Sequence, residues 1–367
     1  MGEKSERGTP QRFGRCRSNR VRVLLVLGVV VIATWGCVTF LMRLLVSRGF
    51  DQKMRRPDLA VAAAAARGAH AVLDALARPD VPIHVVIDAR YGLGNRMRTV
   101  ASGMAVAAAS NRPLLVVWVP DAHANCSIHR LFAGPLPFAV LESELPMAWL
   151  PRDRFQAYNY MPGEAGSVKR EWVRLDHRRH LFVRSAYRVA HERGDWAYTM
   201  RKMRQLRPRA SVRQRLVADS SMIGLHVRGV VDAISDYGAN GSAALAEWRE
   251  RSTWPRFVDR MRAEPPDRSF YLAADSPAAY EGLKAAFPGR IRHAERSERC
   301  TRPGARCDLD RGCEGMEAAL VDVLNLARTQ RILGSFYSSF SEVARYYGTS
   351  DVFGSELPFE AAGIDFF

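Results

Sequence analysis

Ile223-Gly224-Leu225-His226-Val227-Arg228-Gly229-Val230-Val231-Asp232 is the stretch on which the fold turns. Apolar Ile223, Leu225 and Val227 alternate with Gly224, His226 and Arg228. That is the period of a β-strand, so His226 and Arg228 share one face. Arg228 stands where the strand gives way to Gly229 and a loop. Open α/β sheets present ligands at the carboxyl ends of their strands, which makes this arginine a candidate site residue. A half-buried strand with a paired arginine is the structural alternative.

Outward from it, the second half of the chain alternates strand and helix. A helix is expected over 243–262. A strand over 269–274 ends at Asp275 and leads into a helix over 277–287. A further strand over 290–295 enters a cysteine-containing loop. A helix over 315–328 then feeds a strand over 331–334 and a helix over 340–347. The first half shows the same rhythm: a strand over 83–88, the turn Tyr91-Gly92-Leu93-Gly94-Asn95-Arg96, a small-residue helix over 96–110 and a strand over 114–119. From 147 to 209 only a strand over 180–189 and a basic helix over 196–205 are legible. Alternation of this kind is a doubly wound α/β sheet. Two such units in series predict two Rossmann-like domains facing a cleft, over 81–207 and 208–367.

The chain has 367 residues, 47% hydrophobic and 25% charged, enough for a sizeable core. A net charge of +16 calls for an anionic partner: nucleic acid, a membrane surface or a phosphate-bearing small molecule. Residues 23–42 carry no charge and, at about 1.5 Å per residue, match the thickness of a bilayer core. The run is longer than a signal-peptide core of about 7–15 residues and is followed by Arg43, which favours an uncleaved anchor. We therefore expect a cytosolic tail (1–22), a transmembrane signal anchor (23–46) and a stem (47–80). Its Ala-rich part, 58–77, is helical by propensity, either a spacer or the first covering helix.

Cys16 and Cys37 fall in the tail and anchor, leaving Cys126, Cys300, Cys307 and Cys313, an even number that reads as two disulfides in an oxidising lumen. No Cys-x-x-Cys spacing suggests zinc. Asn125-Cys126-Ser127 and Asn240-Gly241-Ser242 are formal glycosylation acceptors. A lumenal domain meets no nucleic acid. The basic run from 169 to 209 is then a solvated face or the wall of an anion-attracting cleft.

Four strand ends carry residues suited to chemistry: Gly92 to Arg96, Arg228 to Asp236, Asp275-Ser276, and Ser335 to Phe340. Gly92 and Gly94 would let backbone N–H groups approach a ligand, and Asn95 offers a donor and an acceptor. Ser339-Phe340-Ser341-Glu342 fits a capping box, with Ser339 as N-cap. The helix start it predicts suits a phosphate, helped by the Ser338 and Ser339 hydroxyls, although a Glu342 folded back over it would repel one. Asp322 lies in the apolar run Ala318-Ala319-Leu320-Val321-Asp322-Val323-Leu324, where a carboxylate needs a partner. The partner is an arginine, or the N–H edge of a guanine.

Gly92-Leu93-Gly94-Asn95-Arg96, Gly224-Leu225-His226-Val227-Arg228, Tyr271-Leu272-Ala273-Ala274-Asp275-Ser276 and Ile332-Leu333-Gly334-Ser335-Phe336-Tyr337-Ser338-Ser339-Phe340 follow one another in a known order. The ordered set resembles the GDP-fucose-dependent fucosyltransferases, the superfamily of α1,2-, α1,6- and protein O-fucosyltransferases. The resemblance implies a GT-B-like fold and inverting transfer of fucose from GDP-fucose to a glycan or protein hydroxyl. It also implies no metal or other cofactor. The apolar run and the cysteines together lead to the expectation of a single-pass type II protein of the Golgi or ER membrane with its catalytic part lumenal. Arg228 would hold the β-phosphate; His226 and Asp322 would contact guanine; Ser338, Ser339 and Phe340 would contact phosphate and fucose. Asp275 and the Gly92 and Gly94 turn would complete the donor site, with Asn95 near the sugar. The chain has Gly229 where α1,6 enzymes have a second arginine, and Asp232 where some protein O-fucosyltransferases place their aspartate. Asp232 would orient Arg228, and Asp236 is the candidate base. The alternatives are a related transferase with another nucleotide-sugar donor, or a non-catalytic, membrane-tethered glycan-binding protein on the same scaffold.

Overall fold

The computed structural model describes residues 54–168, 172–191, 196–229, 243–295, 310–348, 357–362 and 364–365. The expected tail and anchor, Asp232, Asp236, Cys300, Cys307 and the Asn240 triplet lie outside them. No helix among the described residues is long and apolar enough to cross a membrane.

In the first half, β1 (Val85–Ala89), β2 (Leu114–Val117), β3 (Ala139–Leu141), β4 (Phe155–Asn159) and β5 (His180–Ser185) form an all-parallel sheet in the order β3-β2-β1-β5-β4. Central strands of such a sheet are buried on both faces, which is why 85–87 reads as unbroken Val-Val-Ile. Val86 lies opposite Leu115 and Phe182, and these three turn to the face covered by α1 (Leu59–Ala65) and α2 (Ala69–Ala77) through Val61, Val72 and Leu76. Of the two readings of the Ala-rich stretch, the covering layer is the one the structure adopts. Val85, Ile87, Val116 and Val183 face the other way, against Val100 and Met104 of α3 (Leu93–Ala109). Helix α4 (Trp196–Met203) lies beside α3.

In the second half, β6 (Ile223–Val227), β7 (Phe270–Ala274), β8 (Ile291–Arg292), β9 (Ile332–Ser335) and β10 (Phe359–Ala362) are again all parallel, ordered β10-β9-β6-β7-β8. The alternation in β6 behaves as its sequence predicts. Ile223, Leu225 and Val227 pack with Phe257, Met261 and Leu283 of α6 (Pro255–Arg262) and α7 (Pro277–Ala286). Gly224 and His226 face α8 (Cys313–Leu326) and α9 (Ser339–Tyr347). One apolar cluster runs from α3 through Val343 and Ala344 of α9 to α8, so the two sheets share a core instead of standing apart.

Pro255 opens α6 and separates it from α5 (Ala243–Glu250), dividing the single helix expected over 243–262. The expected six-residue strand at 290–295 is only the two-residue β8. Cys126 and Cys313 form a disulfide across 187 residues of sequence and tie the segment after β2 to the start of α8.

At the amino end of the first sheet, the His180 Nδ1 accepts the His84 backbone N–H at 2.9 Å and its Nε2 donates to the Leu76 carbonyl at 3.0 Å. Burial is the main cause that lowers its pKa, to about 4, and His84, Arg112 and Arg154 push the same way. An unfolded histidine titrates near 6.5, so between about 6.5 and 4 the unfolded chain binds the proton that the folded chain refuses. This contribution is complete above 6.5 and is lost on acidification, to a total of about 3 kcal/mol. Urea midpoints should fall from pH 7 to pH 4.5 by more in wild type than in His180→Asn; equal slopes would dismiss this role.

Candidate active site

Each sheet reverses strand order once, between β1 and β5 in the first and between β6 and β9 in the second. Chain segments leaving such neighbours diverge and open a crevice at the carboxyl edge. The two crevices open into one cavity of about 700 Å³. Tyr91, Gly92, Gly94, Asn95 and His123 line it from the first sheet; His226, Arg228, Asp275, Asp322, Ser338, Ser339 and Phe340 line it from the second.

The second crevice is tied by hydroxyls. Ser335 Oγ accepts the Arg228 backbone N–H at 2.8 Å and donates to the His226 carbonyl at 3.0 Å, locking the ends of β6 and β9 together. Ser341 Oγ donates to the Ser335 carbonyl at 3.2 Å and meets His226 Nδ1 at 2.6 Å. A proton on Nδ1 is the tautomer that makes both contacts hydrogen bonds. The ring is stacked on Phe340, with centroids 4.9 Å apart. On the neighbouring side, Asp275 Oδ1 accepts the Gly229 N–H at 3.4 Å.

The capping box does not form. Helix α9 starts at Ser339, with Ser338 as N-cap, and no side chain caps it. Glu342 instead pairs with Arg98 of α3 at 2.6 Å. Two consequences follow. The carboxylate that would have repelled an anion is drawn away from the helix start, and the Ser338 Oγ, buried at that start, has no hydrogen-bond partner among the described residues. An unpaired buried hydroxyl beside free helical N–H groups is a receptive place for phosphate oxygens. Arg98 also donates to Asn95 Oδ1 at 2.7 Å, which leaves the Asn95 amide to present its donor end.

Gly94 is required by the packing at this junction. A Cβ there would stand 2.9 Å from the Ser339 carbonyl carbon and oxygen, so the starts of α3 and α9 approach only because the side chain is missing. Gly229 is similarly hemmed in: a Cβ would lie 3.1 Å from Thr253 Cα and 3.2 Å from its methyl. A second arginine would have to press against that wall.

Asp322, almost wholly buried, accepts a 2.6 Å hydrogen bond from the Tyr271 hydroxyl, so a phenol is one of its protein partners. Burial, with the adjacent carboxylate, holds the Tyr271 phenol protonated by raising its pKa well above 10. Among the described residues no cluster of three His, Cys, Asp or Glu side chains could hold a metal ion.

No protein-family model matches the sequence, and no curated protein matches it. Among solved structures the chain is similar to NodZ alpha-1,6-fucosyltransferase soaked with GDP-fucose, at 17% identity over 73% of this chain and 93% of that one, with a TM-score of 0.49. NodZ has also been solved from Bradyrhizobium. It is similar to POFUT1 in complex with GDP, at 12% identity over 78% and 100% of the two chains (TM-score 0.46). It is similar too to Arabidopsis thaliana FUT1 in complex with GDP, at 16% identity over 73% and 69% (TM-score 0.44).

Every described residue assigned a donor or sugar contact from the sequence lines the cavity. Arg96, quoted in the same motif, does not. It is buried, donates to the Tyr91 and Val119 carbonyls at 2.7 Å each and pairs with Asp121 at 2.8 Å, so it fixes the loops that leave β1 and β2. No described lysine or arginine of the basic run 169–209 lines the cavity; Arg184 pairs with Asp88 at 2.8 Å, and Arg204 donates to the carbonyls of Tyr347 and Gly348 at the end of α9. The sequence reading missed an aromatic cluster at the cavity wall, where Trp248 lies 4.6 Å from Phe336 and 6.2 Å from Tyr337. It also missed His123 and Tyr91. Tyr91 and Tyr337 both hold left-handed φ values, 65° and 55°, which is strained backbone for a bulky side chain, one from each side of the cavity.

Proposed function

We propose that the protein transfers fucose from GDP-fucose to a hydroxyl of a glycan or protein, inverting the anomeric centre without a metal. The observation that carries this reading is the meeting of the motif residues of both halves around one cavity sized for a nucleotide sugar. The start of α9, with Ser338 and Ser339, receives the diphosphate, and Arg228 neutralises the charge that develops as the glycosidic bond breaks. Arg228 thereby supplies what a metal supplies in other transferases. Asp322 accepts N–H bonds from the guanine edge, with His226 beside it. Asn95 directs its amide toward the sugar. From the sequence following Gly229, Asp232 is assigned to orienting Arg228, and Asp236 is the carboxylate the motif spacing offers. Anchored by residues 23–42, the catalytic part works in the Golgi or ER lumen.

The test is nucleotide discrimination. Inosine diphosphate lacks the exocyclic amine of guanine and so forfeits one charge-assisted hydrogen bond, about 1.5–3 kcal/mol or roughly 10- to 100-fold in Kd. Calorimetry with the full chain should show GDP favoured over inosine diphosphate by that factor, and Asp322→Asn should erase the preference. Equal binding of the two nucleotides by wild type would refute guanine recognition here. Release of GDP from GDP-fucose in excess chelator tests the transfer itself.

A further inference from the structure

We infer that His123 is the general base of the transfer, oriented by Asp121, an inference that rests on the transferase reading. The transfer needs a proton acceptor on the side of the sugar away from the departing diphosphate. The diphosphate-binding groups proposed above belong to the second sheet, and His123 enters the same cavity from the first, on the segment leaving β2.

That segment is built to hold an imidazole still. Asp121 Oδ1 accepts the backbone N–H groups of His123 at 2.8 Å and Ala124 at 3.1 Å, while Oδ2 pairs with buried Arg96 at 2.8 Å. The same Oδ1 stands 3.8 Å from His123 Nδ1, close enough for a small side-chain adjustment to join them. A base oriented by a carboxylate that is itself fixed by a third group is the pattern of an activated acid–base site. The far end of the segment is pinned to the second sheet: the Asn125 N–H donates to the Arg311 carbonyl at 2.7 Å, and Cys126 is bonded to Cys313. The imidazole packs against Tyr91, with centroids 5.1 Å apart. The charged and titratable groups around it are Asp121 on its own segment, Arg96 from α3, Tyr91 after β1, and Asp310 and Arg311 before α8.

With Asp121 at Nδ1, the proton sits on that nitrogen and Nε2 is the basic end. The acceptor hydroxyl oxygen forms its bond to fucose C1 as the bond from C1 to the β-phosphate oxygen breaks. The bonding pair leaves with GDP, and the hydroxyl proton passes to Nε2. Imidazolium then releases the proton to solvent. Water serves as the acceptor when no glycan is present.

The experiment uses the full chain with GDP-fucose and water, following GDP release against pH, with GDP affinity by calorimetry and melting temperature as controls. His123→Gln should lower kcat about 10²-fold or more and remove the acid limb of the pH–rate profile, with Kd for GDP within about twofold of wild type. Imidazole in the buffer should restore part of the rate to His123→Ala and none to wild type. Asp121→Asn should shift the acid limb with a smaller fall in kcat, as befits a positioning residue. A His123→Gln enzyme with wild-type rate and pH limb overturns the inference alone, as does a loss confined to Asp236→Asn. A His123 loss accompanied by weakened GDP binding and no imidazole rescue overturns it too, in favour of a structural role. A wild type that binds GDP yet never releases it from GDP-fucose overturns both this inference and the transferase reading.

Discussion

Arg228→Ala is expected to lower kcat for GDP release from GDP-fucose by about 10²- to 10³-fold while the protein still folds. The reason lies in how the residue is divided between roles. Its backbone N–H is the structural half, donating to Ser335 Oγ and holding the end of β6 to β9, and alanine keeps that bond. In the proposed function its side chain, which lines the cavity, is the working half. Charge on the leaving diphosphate grows as the glycosidic bond lengthens, so a preorganised cation counts more in the transition state than in the bound donor. The loss should therefore fall on kcat more than on the affinity for GDP. Arg228→Lys should recover only part of it, because an ammonium restores the charge without the planar fork. Turnover that survives the alanine substitution would remove Arg228 from its proposed role.

The paired change Cys126→Ser with Cys313→Ser is expected to have the largest effect on stability. A cross-link over 187 residues removes closure entropy worth about 5 kcal/mol from the unfolded chain in the polymer estimate, and native disulfides commonly give about 2–5. Substitution isolates this bond, since reductant would act on the other cysteines as well. Urea unfolding should show a drop of at least about 2 kcal/mol, and a change below about 1 kcal/mol would set the prediction aside. Activity should suffer beyond stability. The same staple holds the His123 segment against the segment before α8, where the Asn125 N–H meets the Arg311 carbonyl.

Much of the second sheet was legible because its central strand advertises both faces at once, with apolar Ile223, Leu225 and Val227 against Gly224, His226 and Arg228. The buried run at 85–87 was legible for the opposite reason, having no polar face. Of the edge strands only β8 was expected, and β3, β4 and β10 escaped. The three residues of β3 are too few to show a period, and Phe359-Glu360-Ala361-Ala362 has little of the composition of a strand. It becomes one because it pairs with β9, and its Glu360 is held by Arg260 at 2.6 Å. The second-sheet side of the cavity could be read because most of its residues follow directly on β6, β7 and β9. Glu342 could not, since the local capping rule lost to Arg98, 244 positions away. His123 was hidden likewise: neither strand order nor the pairing of Cys126 with Cys313 can be seen from the residues around it.

That pairing also bears on how the molecule is made. Cys126 is synthesised 187 positions ahead of its partner, and Cys300 and Cys307 both emerge before Cys313 does. The right partner is the last of the three to appear. Until β6 through α8 have been laid down, nothing holds position 126 near position 313, and any bond formed sooner joins it to the wrong sulfur. Correct oxidation is thus a late event that waits on the second sheet. A folding compartment able to undo early mistakes becomes a requirement for high yield, and the finished staple certifies that both halves of the cavity have met.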